Sequence, residues 1–231
     1  MVPMMRCLAF LLFLALLAAP VAAETAPSSF SLRFGMGLTR VWDDQLSDTL
    51  RSVSQQPVDQ ASLIPMSWAL SYNFGGLETE IASTRTTNTL FGPQSGPNRT
   101  RLIVDSATLT FGSRWILSAN LFFTAGLGVE VSELLLQTYN AGSESLSQAL
   151  GQSGNLSLVS RWNWSPAATA RMGWRFLTLP KSTYGYTLGV GATVSGFFLP
   201  VRWKIADDVS VSGIGRPWGP SIRPEVWIGI E

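Results

Sequence analysis

Hydrophobic and polar residues alternate with a period of two along most of the chain. Between Phe30 and Thr39, large apolar residues occupy the even positions, and small or polar residues occupy the odd ones. This period is typical of a β-strand, because successive side chains point to opposite faces of a sheet. The alternation recurs in seven further segments, at about 64–74, 77–82, 100–111, 121–131, 158–176, 186–195 and 222–231. The pattern therefore predicts eight strands.

The links between these strands alternate in length. Short links fall near 75–76, 112–117 and 177–183, and long ones near 43–62, 86–99, 132–155 and 199–220. Gly75 and Gly76 suit a tight hairpin, which needs positive φ angles. An even number of strands, with short turns at one end and long loops at the other, is the layout of a bacterial outer-membrane barrel. We therefore predict an all-β fold, an eight-stranded antiparallel up-and-down transmembrane β-barrel with both chain ends on the short-turn side.

The two faces of the predicted strands differ in size as well as in polarity. One face carries Leu, Phe, Val, Trp and Met, and the other carries mainly Gly, Ser, Thr, Arg and Glu. Eight strands enclose an interior just wide enough for side chains, which rows of large apolar residues would overfill. We therefore expect the apolar face to contact lipid. The alternative is a soluble periplasmic lipid-binding barrel whose apolar face points inward.

The first 23 residues have the features of a secretory signal peptide. A short basic segment ends at Arg6, an apolar stretch covers 7–19, and Val21 to Ala23 supply the small residues of a cleavage site. A membrane anchor would need about 20 apolar residues. We therefore expect cleavage before Glu24, which divides the chain into a signal peptide, 1–23, and an outer-membrane barrel domain, 24–231.

Composition excludes several classes of function. The chain is 46% hydrophobic and 13% charged, with 16 basic and 15 acidic residues, whereas soluble domains carry about 25% charge. Such a balance lacks the basic footprint of a nucleic-acid-binding protein. The sequence has no histidine, and its one cysteine, Cys7, lies in the leader. No disulfide, metal site or cofactor is therefore predicted.

Charged residues on the polar parity are the main candidates for a functional site. They are predicted to line the lumen and comprise Arg33, Glu78, Glu80, Glu130, Arg161, Arg171, Arg175, Arg223 and Glu225. Buried charges persist when they are paired and hydrogen-bonded, so the set is interpreted as a polar plug. The alternative is a constriction in a narrow channel, where guanidinium groups set an anion preference.

Aromatic residues cluster near the predicted strand ends. Aromatic girdles mark both interfaces of a membrane barrel, because amphipathic rings favour the headgroup level. The predicted girdle consists of Tyr72, Phe74, Phe111, Trp174, Phe176, Tyr184 and Tyr186 on the short-turn side, with Trp42, Trp162 and Phe198 on the long-loop side.

With this architecture, the chain resembles the small eight-stranded outer-membrane barrels of Gram-negative bacteria, the group of OmpA-like, OmpX-like and OmpW-like proteins. The resemblance spans Phe30 to Glu231 and rests on architecture rather than on a diagnostic motif. It implies contact with outer-membrane lipid and lipopolysaccharide, and insertion by the barrel-assembly machinery. Asp105 departs from the pattern because it falls on the lipid-facing parity, which a β-bulge would correct.

The resemblance also bears on catalysis. Enzymes with similar folds include the lipid A deacylase, palmitoyltransferase, outer-membrane phospholipase and omptin protease families, all of which use an active-site histidine. This chain has no histidine. We therefore predict a non-enzymatic envelope protein, supporting membrane integrity or contacting a surface partner through its loops. The runner-up function is a narrow outer-membrane channel for small or apolar solutes.

Overall fold

In a computed structural model, the chain closes into a barrel. The structure describes residues 28–41, 48, 50–51, 63–88, 99–139, 156–178, 184–196, 202–205, 209–211 and 221–231. The strands among them are β1 (Ser29–Gly37), β2 (Arg40–Val41), β3 (Ile64–Phe74), β4 (Leu77–Thr87), β5 (Arg99–Ile116), β6 (Leu121–Tyr139), β7 (Leu156–Thr178), β8 (Gly185–Ser195), β9 (Trp203–Ile205), β10 (Val209–Val211) and β11 (Ser221–Ile230).

Eight of these strands form the wall. β1, β3, β4, β5, β6, β7, β8 and β11 pair with their neighbours in chain order, always antiparallel, and β11 pairs back with β1. Gly75 and Gly76 have φ angles of 58° and 87° and close the tight turn between β3 and β4. The prediction of an eight-stranded antiparallel up-and-down barrel is confirmed.

The strand register shows how strongly the strands are staggered. When the paired residues are followed once around the wall from Asp105, the path returns to β5 at Trp115, ten residues further along the strand. Stagger and tilt are linked in a closed barrel. At a tilt of about 45°, ten residues with a rise of about 3.3 Å each span roughly 23 Å of height.

Side chains alternate across the wall with the predicted polarity. Every wall strand carries exposed large apolar side chains, such as Phe34 on β1 and Leu188 on β8, whereas the buried side chains are mainly Ser, Thr, Arg and Glu. A soluble barrel would have the opposite arrangement, with its apolar residues inside. The outward apolar belt is therefore the lipid-facing surface of a transmembrane barrel.

Three strands are longer than a membrane crossing requires. β5, β6 and β7 contain 18, 19 and 23 residues, and a tilted transmembrane strand needs about 9–11. Their ends on the long-loop side continue past the apolar belt, where β9 pairs with β7 and β10 pairs with β9. We call residues 99–104, 134–139 and 156–160, together with β9 and β10, the extension.

The inner face of the extension is apolar. Leu102, Val104, Leu134, Leu136 and Leu158 are buried there with Trp203 of β9, and Leu50 and Leu63 pack against them. We call these eight residues the apolar cluster. They form a hydrophobic core that lies at the long-loop end of the polar lumen. Unbroken alternation over the predicted strand 158–176 places Leu158 on the same, lipid-facing side as Trp164, and this prediction is wrong because Leu158 is buried.

A β-bulge in β7 is the reason. Ser132 pairs with Asn163 and Leu134 with Ser160, so β7 contains one extra residue in this interval. Trp162 within it has a φ of 58°. The extra residue reverses the sidedness of the preceding part of β7, which turns Leu158 inward.

The side chain of Asn163 holds the bulge in place. Its Nδ2 donates to the carbonyl oxygens of Ser132 and Ser160, both at 3.1 Å, and the hydroxyl of Ser160 donates to its Oδ1 at 3.1 Å. The Asn163 side chain therefore supplies hydrogen bonds to carbonyl oxygens at the bulge, where the regular ladder of β6 and β7 is interrupted.

Candidate functional site

Ten charged side chains from six strands and the residue after β11 meet inside the barrel. Among the described residues, the lumen holds five arginines and five glutamates, namely Arg33, Arg114, Arg171, Arg175, Arg223, Glu78, Glu80, Glu130, Glu225 and Glu231. Their charges balance. They form three layers, which we call the ion-pair column.

The middle layer is built around Arg171 on β7. Its Nη2 lies 2.8 Å from Oε1 of Glu80 and its Nη1 donates to Oε2 at 3.2 Å, while its Nε donates to Glu225 at 2.9 Å. Arg33 forms a second ion pair with Glu80, and Ser67 donates to Glu225 at 3.0 Å. Because Glu80 lies on β4 and Glu225 on β11, Arg171 joins strands that are not neighbours in the wall.

The layer nearest the long loops centres on Glu130 of β6. This carboxylate pairs with Arg223 of β11 and accepts hydrogen bonds from Ser195 at 3.0 Å and Thr108 at 3.2 Å. Arg223 also donates to Ser106 at 3.2 Å. All of these side chains are buried. Buried ion pairs are stable only when their remaining hydrogen-bonding groups find partners, and this pair has them.

The layer at the short-turn end involves the last residue of the chain. Arg114 on β5 lies 2.5 Å from the side-chain carboxylate of Glu231 and 4.0 Å from that of Glu78. Arg175 approaches Glu231 at 3.5 Å and is about a third exposed. The guanidinium of Arg114 also lies 3.8 Å from the ring centre of Phe122, within range for a cation–π contact.

Glycines make room for the large side chains of the lumen. A Cβ added at Gly189 would collide with the indole of Trp227, and one at Gly191 would lie 2.5 Å from the side chain of Arg171. Arg33 in turn sits 5.3 Å from the Trp227 ring centre. The glycines at these two positions therefore leave space for the side chains of Trp227 and Arg171.

A cavity of about 20 Å³ lies beside Arg33, Arg171, Arg223, Glu225 and Trp227. That volume is enough for about one water molecule. The site is suited to holding charges in fixed pairs rather than to binding a ligand of drug size.

The structure places eight of the nine predicted lumen charges inside the barrel. Arg161 is the exception: because the bulge turns it outward, it is half-exposed and pairs with Glu133 at 3.2 Å. Arg114 and Glu231 were not singled out from the sequence. Arg114 shares the parity of Thr108 and Thr110, but the predicted strand ended at Phe111, whereas β5 continues to Ile116.

The predicted girdle residues lie on the outer surface where they are described. Tyr72, Phe74, Trp174, Phe176 and Tyr184 are exposed near the short-turn end, and Tyr186 packs 6.4 Å from Phe176. Phe111 lies five residues before the end of β5 and so belongs to the apolar belt. Trp162 projects at the long-loop end. Trp42 and Phe198 fall outside the described residues.

A stacked aromatic pair was missed by the sequence pattern. Trp115 of β5 and Phe123 of β6 lie 5.5 Å apart on the outer wall at the short-turn end. Trp115 had been assigned to a turn, although it continues the outward parity of Phe111. These two rings mark the lower edge of the apolar belt.

Asp105 lies on the outer wall, as its position in the alternation indicates, and no bulge interrupts the pairing of β5 with β4 or β6 beside it. Arg85 on β4 donates to both of its carboxylate oxygens, Nε to Oδ1 at 2.7 Å and Nη2 to Oδ2 at 2.8 Å. The carboxylate is about half exposed. The bidentate ion pair with Arg85 compensates the negative charge of Asp105, so the side chain does not need to point into the lumen.

Within the described ranges, no group of three or more His, Cys, Asp or Glu residues is arranged to hold a metal ion. No helix formed by those residues is both long and apolar enough to cross a membrane.

The chain was compared with protein families, curated proteins and solved structures, and similarity was found only to solved structures. No family model matches the sequence, and no curated protein matches it. The chain is similar to the crystal structure of Ail, the attachment invasion locus protein of Yersinia pestis, at 11% identity and a TM-score of 0.44 over 88% of this chain and 95% of that chain.

Two further structures of Ail are similar to the chain. The complex with the heparin analogue sucrose octasulfate has 11% identity and a TM-score of 0.43, over 88% of this chain and 95% of that one. The backbone structure in a phospholipid bilayer nanodisc has 15% identity and a TM-score of 0.32, over 87% and 99%. The strand pairing of the chain itself, rather than these likenesses, establishes its eight-stranded barrel fold.

Proposed function

We propose that the protein is a non-enzymatic barrel of the bacterial outer membrane whose lumen is plugged by the ion-pair column. The single observation that carries this proposal is the set of Arg–Glu pairs that cross the lumen, such as Arg171 with Glu80 and Arg223 with Glu130. Paired and hydrogen-bonded charges hold a fixed arrangement in a buried site. With the lumen filled, the loops and the outer wall remain as the functional surfaces, and the role is envelope integrity or a surface interaction.

The apolar cluster supports closure at the second end of the lumen. Leu134, Leu136 and Trp203 are almost completely buried beyond the Glu130 layer. A dry apolar constriction opposes the passage of ions because it cannot replace their hydration shells. The column and the cluster together favour a plug over an open pore.

The proposed location is the outer membrane. A closed sheet leaves no unpaired strand edge in the wall, as a lipid-spanning barrel requires, and the apolar belt faces outward. The predicted signal peptide, 1–23, lies outside the described residues. We propose that it directs export, that the barrel-assembly machinery inserts residues 24–231, and that the wall then contacts lipid and lipopolysaccharide.

A narrow channel for small or apolar solutes is the second candidate. It is favoured by the cavity beside Arg33, Arg171 and Arg223, because guanidinium groups around a narrow passage select anions. The cavity holds about one water molecule, which limits any such solute to a very small one unless the column rearranges. Conductance separates the two candidates.

Fractionation combined with gel migration tests the location and the fold together. We expect the protein in the outer-membrane fraction, and we expect unboiled samples to migrate as a compact band that boiling converts to the unfolded position. Such resistance is expected of a barrel whose backbone hydrogen bonds are all internal. Recovery in the soluble fraction after osmotic shock would instead support a soluble periplasmic lipid-binding barrel and contradict the proposal.

A further inference from the structure

The outer wall carries a groove of about 300 Å³ at the long-loop end of the belt. Small outward side chains form its floor, carboxylates form its rim, and an indole forms one wall. The corresponding residues are Ser83, Ala107, Val131, Asp105, Glu133 and Trp162. This volume is at the lower end of the range for small-molecule sites. We call it the Trp162 groove.

The charges at the rim are paired. Asp105 forms a bidentate salt bridge with Arg85, and Glu133 accepts a hydrogen bond from Nε of Arg161 at 3.2 Å. These four side chains are roughly half-exposed or more. A carboxylate has about four lone-pair positions, so each one can accept further hydrogen bonds after pairing. The rim is thus electrically balanced and rich in hydrogen-bonding groups.

The groove lies at the height where hydrocarbon gives way to headgroups. Asp105 is ten residues above Trp115 on β5, and its partner Glu133 is ten residues above Phe123 on β6. Ten residues of tilted strand rise about 23 Å, close to the height of about 25 Å expected for the apolar band. The Trp115–Phe123 pair and the charged rim therefore mark the two edges of the belt, and the groove opens sideways at its upper edge.

Trp162 is held beside the groove in an unusual conformation. Its φ of 58° makes it the sole non-glycine residue with positive φ in the described part of the chain, and its side chain is 75% exposed. A bulky residue rarely adopts this backbone region. Trp164, 57% exposed on regular strand two residues later, provides an interfacial aromatic without any such strain. Anchoring in the interface alone therefore does not account for Trp162, and strain of this kind points to a site.

We propose that the Trp162 groove binds an uncharged sugar ring in the headgroup of an outer-leaflet glycolipid. The face of an indole is electron-rich and attracts the positively polarised C–H groups of a sugar face. Asp105 and Glu133 accept hydrogen bonds from sugar hydroxyls. Because the rim is electrically balanced, it carries no net positive charge to attract a phosphate, so the sugar hydroxyls are the headgroup groups that it recognises. The inference rests on the proposed outer-membrane location, where the groove faces such lipids.

The test uses bilayers of defined composition. The protein is reconstituted in phosphatidylcholine containing graded fractions of dephosphorylated lipid A, a glycolipid with an uncharged disaccharide, or of diacylglycerol, which lacks the sugars. Its unfolding by urea is followed through loss of the compact gel band. A ligand that binds the folded state raises the folded-to-unfolded ratio by one plus its concentration over its dissociation constant. We expect a rise of about tenfold at ten times that constant for the glycolipid, and none for diacylglycerol.

Two variants assign the effect to the groove. Trp162→Gly removes the indole but suits the positive φ, so it should fold and lose the response to dephosphorylated lipid A. Trp164→Ala, which removes a neighbouring exposed indole, should keep it. An unchanged response in Trp162→Gly, or an equal response of the wild-type protein to diacylglycerol, would overturn the proposal. Failure of the wild-type protein to form a compact band contradicts the proposed function, whereas a compact band with no glycolipid response contradicts the groove alone.

Discussion

A single residue, Trp162, decides the sidedness of one end of β7. Its positive φ lies within the bulge, and the bulge exchanges the inner and outer faces of the residues before it. Leu158 consequently joins the apolar cluster, and Arg161 joins Glu133 on the outer wall. The alternation rule holds on both sides of the bulge, but its phase changes at Trp162.

Glycine and alanine at position 162 should reveal the cost of this conformation. We expect Trp162→Gly to be more stable than Trp162→Ala by about 1 kcal/mol, because left-handed backbone costs a residue with a Cβ about 1–2 kcal/mol. At Trp164 the order should reverse, since glycine in a regular strand is about 0.5–1 kcal/mol worse than alanine. Urea unfolding of the four variants measures both differences. If the alanine variant were the more stable one at both positions, the backbone at Trp162 would carry no left-handed strain.

At the scale of the element, β5, β6 and β7 combine two functions. Their lower parts form the lipid-facing wall, and their upper parts form the extension around the apolar cluster. Among the described residues, the extension is joined to the rest of the molecule by strand continuity, by this small core, and by the pairing of Ile103 and Val104 with β4. It is therefore expected to open locally without unfolding of the barrel.

Leu134→Ala tests whether the apolar cluster holds the extension. Leu134 is fully buried, and removal of a buried leucine side chain costs about 2–5 kcal/mol. Amide hydrogen exchange should quicken in residues 99–104 and 134–139 and stay unchanged in residues 107–116. Leu135→Ala, on the outer face of the same strand, is the matched control and should have a small effect. Equal acceleration throughout β5 would mean that the extension and the wall unfold as one unit.

The sequence predicted the wall well because alternation is a local property. It identified eight strands, their polarity and most of the lumen charges, but it ended β5 at Phe111 and so missed Arg114. The bulge could not be predicted, since nothing in the run Arg161-Trp162-Asn163 signals a left-handed tryptophan. Ion-pair partners were equally hidden. Arg171 and Glu80 are 91 residues apart in the chain, and only the stagger of the closed barrel brings them together.

The whole molecule is a column of charges inside an apolar belt. Each layer of the column joins strands that are not neighbours: β7 with β4, β11 with β6, and β5 with the end of β11. Such cross-lumen pairs brace the wall at three heights, in addition to the ladder hydrogen bonds. Loss of one partner leaves a buried charge without its counter-charge, which is costly. Closure and stability therefore depend on the same residues.

Planar-bilayer recordings test this coupling. The wild-type protein should show no discrete, salt-dependent openings, and Arg171→Ala and Arg175→Ala should not shift ion selectivity, because a plugged lumen has no current to select. Arg171→Ala should still lower the free energy of unfolding by about 3–5 kcal/mol, since Glu80 and Glu225 lose a shared partner. Arg85→Ala, on the outer wall, is the control and should cost about 1 kcal/mol or less, as exposed pairs do. Discrete openings whose anion preference falls with Arg171→Ala would establish the narrow channel and exclude the plug.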